Sequence, residues 1–319
     1  MLFGVTADFK CSERLSRRPI GALKDTLCHI GAEGGECSVD TSQTSQFASA
    51  LLLAAPLFKN GLILHLDGKR ASKPYIDMTV AMMRRQNIDV IVDNEMITVP
   101  KSTYSTKKIK IESDWSAAAF WYEIIAVTYS DERFRNLKVK LEGLCKDSLQ
   151  GDAVAAELFK KTHVETVFVD DGVVLNYSEK PSKSIDFDFS NHPDLFPAFA
   201  VTCAALGLSA HLTGLENLIL KESDRITSVV SQLKTIGADI EVGKSEVKIK
   251  SSRLAIPERT TFKSFNDHRI AMAFAPLTLL SKDTVIEGKE SVGKSYPGFW
   301  RDFAAFSAYR ANLKCDILS

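Results

Sequence analysis

Apolar residues recur at three- and four-residue steps along several stretches of this chain, and most of these stretches lead into a break and a short alternating segment. The first carries Ile20, Leu23, Leu27 and Ile30, with Pro19 where a helix tolerates a missing N–H. The second runs through Ile76, Val80 and Met83. It is followed by Ile88, Val90 and Val92, then Met96 and Val99, whose alternation about Asp93-Asn94 predicts a hairpin. The third covers 153–159 and precedes apolar runs at 164–169 and 173–175, which flank Asp170-Asp171-Gly172. The fourth places Ile226, Val229, Val230, Leu233 and Ile236 on one helical face, stops at Gly237, and continues into 240–242 and 247–249. The copies recur every ~55–75 residues, too long a period for most solenoids, so they read as α/β supersecondary units packed into globular domains.

Between the second and third copies, Asp114 precedes Trp115-Ser-Ala-Ala-Ala-Phe120-Trp121-Tyr122-Glu123-Ile124-Ile125, which predicts a capped and almost wholly apolar helix at the centre of a core. The domain boundary is placed here, dividing the chain into residues 1–113 and 114–319. No low-complexity linker intervenes, and the segment after Phe306 reads as a final helix with a frayed tail.

The composition sharpens this picture chiefly by exclusion. Forty basic residues balance forty acidic ones over 319 residues, so no global field favours nucleic acid or an anionic membrane, and anion recognition has to be local. The six cysteines show no metal-ligand spacing, and several lie in apolar runs, as buried thiols of a reducing compartment do. No run reaches the ~18 apolar residues of a membrane span, and no signal-peptide pattern opens the chain. The expected location is the cytoplasm.

The chemistry gathers at helix starts. Asn266-Asp267-His268-Arg269 sets a capping acid, an imidazole and a guanidinium at the first turn of an apolar helix, and Lys221-Glu222-Ser223-Asp224-Arg225 sets a dense charge cluster with an arginine at the start of the fourth helix. Arg14, Arg17 and Arg18 crowd the start of the first helix. Thr44-Ser45-Gln46 and Ser72-Lys73-Pro74-Tyr75 offer hydroxyls, and Lys294-Ser295-Tyr296-Pro297 offers an ammonium. Each has an ordinary alternative, a cap or a solvated basic turn. Taken together, with Asp194 and Glu222 as carboxylates among cations, they suit an enzyme or binder for compact phosphorylated anions, with an acid/base of tunable pKa.

The order and spacing of these pieces resemble the EPSP synthase family. The matching segments are Glu13-Arg-Leu-Ser-Arg-Arg18-Pro-Ile-Gly, Thr44-Ser-Gln-Phe, Ser72-Lys-Pro-Tyr-Ile-Asp, Ser148-Leu-Gln-Gly-Asp152, His192-Pro-Asp194, Lys221-Glu-Ser-Asp-Arg225, Asn266-Asp-His-Arg269 and Lys294-Ser-Tyr-Pro, and they cover residues 12–303. The resemblance implies a two-domain enolpyruvyl transferase fold, an inside-out α/β barrel of repeated βαβαββ units. It also implies transfer of the enolpyruvyl group from phosphoenolpyruvate to the 5-hydroxyl of shikimate 3-phosphate, without metal or organic cofactor. By this likeness Arg18, Gln46, Arg225, Arg269 and Lys294 hold phosphoenolpyruvate. Thr44, Ser45, Gln46, Ser72, Tyr75, Asp194, Asn217 and Lys221 hold shikimate 3-phosphate. Asp194 takes the hydroxyl proton, Glu222 helps protonate the methylene carbon, and Lys221 completes the catalytic set.

The family's opening Lys-Ser motif and its Asn-Ala-Gly-Thr segment have no counterpart in the 319 residues. The expectation is therefore of a first domain lacking about one hundred residues, or one repeat unit, with impaired activity. The full-length family is expected to be monomeric; an open sheet edge invites association here. Two alternatives stand beside this one: the related transferase acting on UDP-N-acetylglucosamine, and a non-catalytic fragment or half of a split enzyme.

Overall fold

The computed structural model describes residues 21–31, 33–42, 44–68, 73–105, 108–129, 131, 138–178 and 181–315. Arg18 and Ser72 lie outside them. The chain divides into two units, Met1–Ile111 with Leu149–Gly151, and Glu112–Ser148 with Asp152–Ser319. No helix among the described residues is long and apolar enough to cross a membrane.

In the first unit helix α1 (Gly21–Ile30) precedes strand β1 (Gly35–Asp40), helix α2 (Gln46–Ala54), strand β2 (Leu62–Asp67), helix α3 (Lys73–Arg85) and the hairpin β3 (Ile91–Asp93) and β4 (Met96–Val99). The sheet order is β1-β2-β4-β3, with β1 and β2 parallel and the hairpin antiparallel to them. Asp93 pairs with Met96, so the turn is Asn94-Glu95, one position later than the alternation implied. Asn94 adopts a left-handed backbone (φ 51°), which asparagine tolerates better than most residues. Ile88 and Val90 are buried but precede the strand. Arg84 donates to the Val90 carbonyl from Nε and Nη2, at 3.1 and 2.6 Å, and holds that approach. Leu51, Leu52, Phe58, Leu64, Ile76, Met83 and Val99 build the core between helices and sheet.

The second unit is organised around helix α4 (Trp115–Thr128), in which every residue except Ala117 is buried, as its apolar sequence requires. Asp114 caps it by accepting from Ser116 N at 2.8 Å. Strand β5 (Val139–Glu142), helix α5 (Ala155–Lys160) and strands β6 (Val164–Val169) and β7 (Gly172–Tyr177) follow, with sheet order β5-β7-β6. Then come β8 (Ser184–Asp188), α6 (Phe196–Ala205), β9 (Ser209–Thr213), α7 (Arg225–Thr235), β10 (Ile240–Val242) and β11 (Val247–Ile249). A parallel pair β12 (Thr261–Lys263) and β13 (Val285–Glu287) brackets α8 (His268–Phe274), and α9 (Phe299–Cys315) closes the unit. Helix α8 is shorter than its apolar run because Pro276, which lacks an N–H, turns the continuation into a 3-10 segment, Ala275–Leu279. Its residues are buried nearly all round rather than along one face. Of the described cysteines, Cys37 and Cys203 are buried thiols, as expected of several, and Cys145 is exposed.

Two segments of the fold repeat each other. The order β8-β9-β11-β10 reproduces β1-β2-β4-β3, with the same parallel first pair and antiparallel hairpin. Gly61-Leu-Ile-Leu-His-Leu-Asp-Gly68 brackets β2 as Gly207-Leu-Ser-Ala-His-Leu-Thr-Gly214 brackets β9. Gly68 and Gly214 have φ of +78° and +72°, and a Cβ on either would strike the carboxylate of Asp40 or Asp188. Those aspartates cap equivalent turns, each accepting from a backbone N–H two residues on, Ser42 or Ser190, at 2.8 Å. Because the first two strands of each copy run parallel, the helices that follow them all start at the same end of the sheet. That placement gathers helix starts, and whatever chemistry they carry, at one edge.

Candidate active site

In the second unit the helix starts bring the predicted charges together. Asp267 caps α8 by accepting from Arg269 N at 3.0 Å. It also receives Arg225 Nε at 2.9 Å and Ser223 Oγ at 3.1 Å on its other oxygen. Arg225, the first residue of α7, is held there because Asp224 caps that helix through Thr227 N. Its Nη1 reaches Asp194 Oδ1 at 2.7 Å, Arg269 Nη2 reaches Asp194 Oδ2 at 2.9 Å, and Lys221 Nζ stands 3.9 Å from Oδ1. Asp194 itself lies in a 3-10 turn, Pro193–Leu195, and caps nothing, so the plain capping alternative falls away. A second knot joins the first: Glu222 Oε2 accepts from His268 Nδ1 at 3.0 Å and from Lys294 Nζ at 2.5 Å.

The electrostatics follow from these pairs. Burial alone would lift the Asp194 carboxyl, but Arg269, Arg225 and Lys221 outweigh it and hold the group well below the usual carboxylate range. Burial likewise opposes Glu222, yet the hydrogen bonds from His268 and Lys294 bring it to about 2. Asp267 is lowered too, the nearby Arg225 overcoming desolvation. All three are anions at neutral pH, and together they aim the guanidinium and ammonium groups. Exposure grades the cations: the Arg225 side chain is 3% exposed, Arg269 13%, Lys221 33% and Lys294 48%, so an incoming anion meets the lysines first.

Glu222, Asp267 and His268 present ligand atoms within 4.8 Å of one another, the geometry of a cation site. Each is already paired, and Arg225 and Lys294 stand beside them. That surrounding positive charge favours anions over a metal ion.

The remaining predicted residues are placed separately. In the first unit Thr44 Oγ1 accepts from Gln46 N at 3.2 Å, whereas Ser45 is buried without a side-chain capping bond; the capping hydroxyl is Thr44. Gln46, the first residue of α2, is exposed. Tyr75 is half-buried in the first turn of α3, and its carbonyl accepts from Thr79 Oγ1. Asn217 lies in the second unit, in the turn Glu216–Leu220. Three members of the cluster carried no predicted role beyond a cap: Asp267 as the partner of Arg225, His268 as the partner of Glu222, and Ser223. All three stand inside the two motifs, so proximity to the named arginines was their signal.

The arrangement can hold small anions between cations and move a proton at either acid. A profile of the family described as EPSP synthase (3-phosphoshikimate 1-carboxyvinyltransferase) matches residues 7–303. The 3-phosphoshikimate 1-carboxyvinyltransferase of Bacteroides fragilis (strain YCH46) is 33% identical over 313 residues, covering 91% of this chain and 75% of that protein. Among solved structures, EPSP synthase from Acinetobacter baumannii superposes with a TM-score of 0.68 at 22% identity, covering 90% of this chain and 70% of the other. The enolpyruvyl transferase NikO from Streptomyces tendae superposes at 0.61 and 16% identity, covering 85% and 63%. These likenesses place the chain in the enolpyruvyl transferase fold. With its motif order, its charge cluster and the match over most of its length, the chain belongs to the EPSP synthase family, the 3-phosphoshikimate 1-carboxyvinyltransferases.

Proposed function

We propose that this chain transfers the enolpyruvyl group of phosphoenolpyruvate to the 5-hydroxyl of shikimate 3-phosphate, releasing phosphate. The observation that carries this reading is the convergence of Arg225, Arg269 and Lys221 on Asp194. A carboxylate so paired is a weak base. Anionic substrates compete for the same cations, and as the cations turn to phosphate and carboxylate groups, Asp194 regains basicity where the hydroxyl arrives. Asp194 then takes the hydroxyl proton while the oxygen bonds to C2 of phosphoenolpyruvate. Glu222, relieved of Lys294 and supplied through His268, delivers a proton to the methylene carbon. The tetrahedral intermediate loses its phosphate as the bond from C2 to the bridging oxygen breaks, the leaving oxygen taking the proton held by Asp194, and Glu222 takes a proton back from the new methyl to restore the enol ether. Arg225, Arg269 and Lys294 offset the charge throughout. In this reading Thr44, Ser45, Gln46, Ser72 and Tyr75 of the first unit, with Arg18, complete the contacts.

The exposed Cys145 thiol suits a reducing cytoplasm, and the family's monomer is the state assigned. Phosphate release with both substrates present tests the reaction. Asp194→Asn should lower turnover by roughly 10²–10⁴-fold; release at the unaltered rate removes Asp194 from the chemistry.

A further inference from the structure

The motif Ser148-Leu-Gln-Gly-Asp152 belongs to the likeness but is given no work by the reaction just described. Asp152 opens the segment before α5, and its side chain is 2% exposed. Its Oδ2 accepts from Ser116 Oγ at 2.5 Å, which ties it to the capped first turn of α4. Its Oδ1 is shut off from solvent and has no hydrogen-bond partner. His192 Nδ1 stands 3.8 Å away, and that nitrogen is itself buried and without a hydrogen-bond partner.

Two unsatisfied buried atoms of complementary chemistry therefore face each other across a gap that a shift of about 1 Å closes to hydrogen-bond length. Burying either without a partner is unfavourable, so isolated atoms of this kind call for an explanation. His192 is fixed at its backbone: its N donates to Phe189 O at 2.9 Å and its carbonyl accepts from Leu195 N at 3.1 Å. Pro193 fixes its own φ and restricts His192 before it, and Asp194 follows. The imidazole is thus the side-chain handle of the turn that carries Asp194.

We propose that Asp152 is a positioning residue for Asp194. It accepts a hydrogen bond from the Nδ1–H of His192 when the turn settles around substrate, and Ser116 fixes its orientation from behind. Asp152 touches no reacting atom; it sets where the base stands between Arg225 and Arg269. The inference rests on the reading of Asp194 as that base. The path runs from the N-terminus of α4 through Ser116 and Asp152 to His192, all within the second unit. Ordinary packing would fill such a site with matched apolar groups rather than two open polar atoms.

The first test is independent of turnover. Histidine-edited ¹⁵N NMR of the full chain with shikimate 3-phosphate, assigned through His192→Gln, should show the His192 proton on Nδ1. In Asp152→Asn the amide donates instead, and the proton should move to Nε2 with the melting temperature preserved. An Nδ1 without a proton in the unaltered protein, or the same pattern in both, overturns the proposal. The second test reads function: Asp152→Asn should lower kcat by roughly tenfold or more with both KM values nearly unchanged, as a small misplacement of a reacting group does. His192→Asn, which keeps a donor near the Nδ1 position, should recover most of the loss that His192→Phe incurs. Equal kcat in Asp152→Asn and the unaltered chain, or no rescue by asparagine, also overturns it. If phosphate release is absent from the unaltered chain while the NMR pattern holds, the reading of the reaction fails and the pair stands.

Discussion

The copy β1-α2-β2-α3-β3-β4 and the copy β8-α6-β9-α7-β10-β11 share strand order, bracketing glycines and a capped aspartate turn, yet they carry opposite chemistry at equivalent places. Six residues after Asp40 stands Gln46, exposed and uncharged; six after Asp188 stands Asp194, clasped by two arginines. After the second strand the first copy leads to Lys73-Pro74-Tyr75, and the other to the Glu222–Arg225 cluster. One scaffold thus presents helix starts at a sheet edge, and each copy decorates them independently. In the first, side-chain hydroxyls and an amide offer neutral hydrogen bonds, and Lys73, the one cation at those helix starts among the described residues, is exposed and paired with Asp77 on its own helix. In the second, buried ion pairs hold cations in place.

That contrast predicts unequal sensitivity. Asp267→Ala strips Arg225 of the more buried of its two carboxylates and α8 of its cap, and should destabilise the protein by about 3 kcal/mol, the scale of breaking a buried pair. Thr44→Ala, which removes the capping hydroxyl at the corresponding edge of the other copy, should cost about 1 kcal/mol. Urea unfolding measures both, and comparable values would erase the distinction between the copies. Because Asp267 titrates below its ordinary 3.8, its stabilisation is present above that pH and disappears as pH falls through its folded value.

A smaller effect of opposite sign separates paired from unpaired burial within the second unit. Glu123 on α4 is fully buried, both carboxylate oxygens lack partners, and desolvation pushes its pKa well above 4.5. It stays protonated in the fold but ionises in the unfolded chain, so its penalty grows as pH rises above 4.5. Glu123→Met should therefore stabilise by about 1–3 kcal/mol at neutral pH and less at pH 4. A loss of stability at neutral pH would show that the acid has a partner in solution.

Much of this fold was legible in the residue pattern, because helices with one apolar stripe and hairpins with alternating residues reveal themselves locally. The Ile226–Ile236 periodicity gave α7 to within a residue, and Asp114 and Asp267 act as caps where their positions implied, while the cap at Asp224 emerged only from the structure. Local signals failed where a backbone group decided the outcome. Pro276 shortened α8, and the hairpin turned at Asn94-Glu95 because cross-strand pairing set the register. At the site, Asp194, Lys221, Glu222, Arg225, Arg269 and Lys294 were named from motif order and lie together. The pairing of Glu222 with His268 and of Arg225 with Asp267 joins segments over forty residues apart, and no local pattern encodes such a contact. The glycines that bracket β2 and β9 took on meaning only with the positive φ values.

The central claim is that the second unit's cations grip substrate rather than merely hold the fold. Arg269 tests it best, since Asp194 keeps Arg225 and Lys221 when Arg269 is removed. Calorimetric titration of phosphoenolpyruvate, with shikimate 3-phosphate present, should show Arg269→Met binding roughly ten- to a hundredfold more weakly, the loss of one charged hydrogen-bonding partner, at an unchanged melting temperature. Equal affinity in the variant and the unaltered chain would contradict the account.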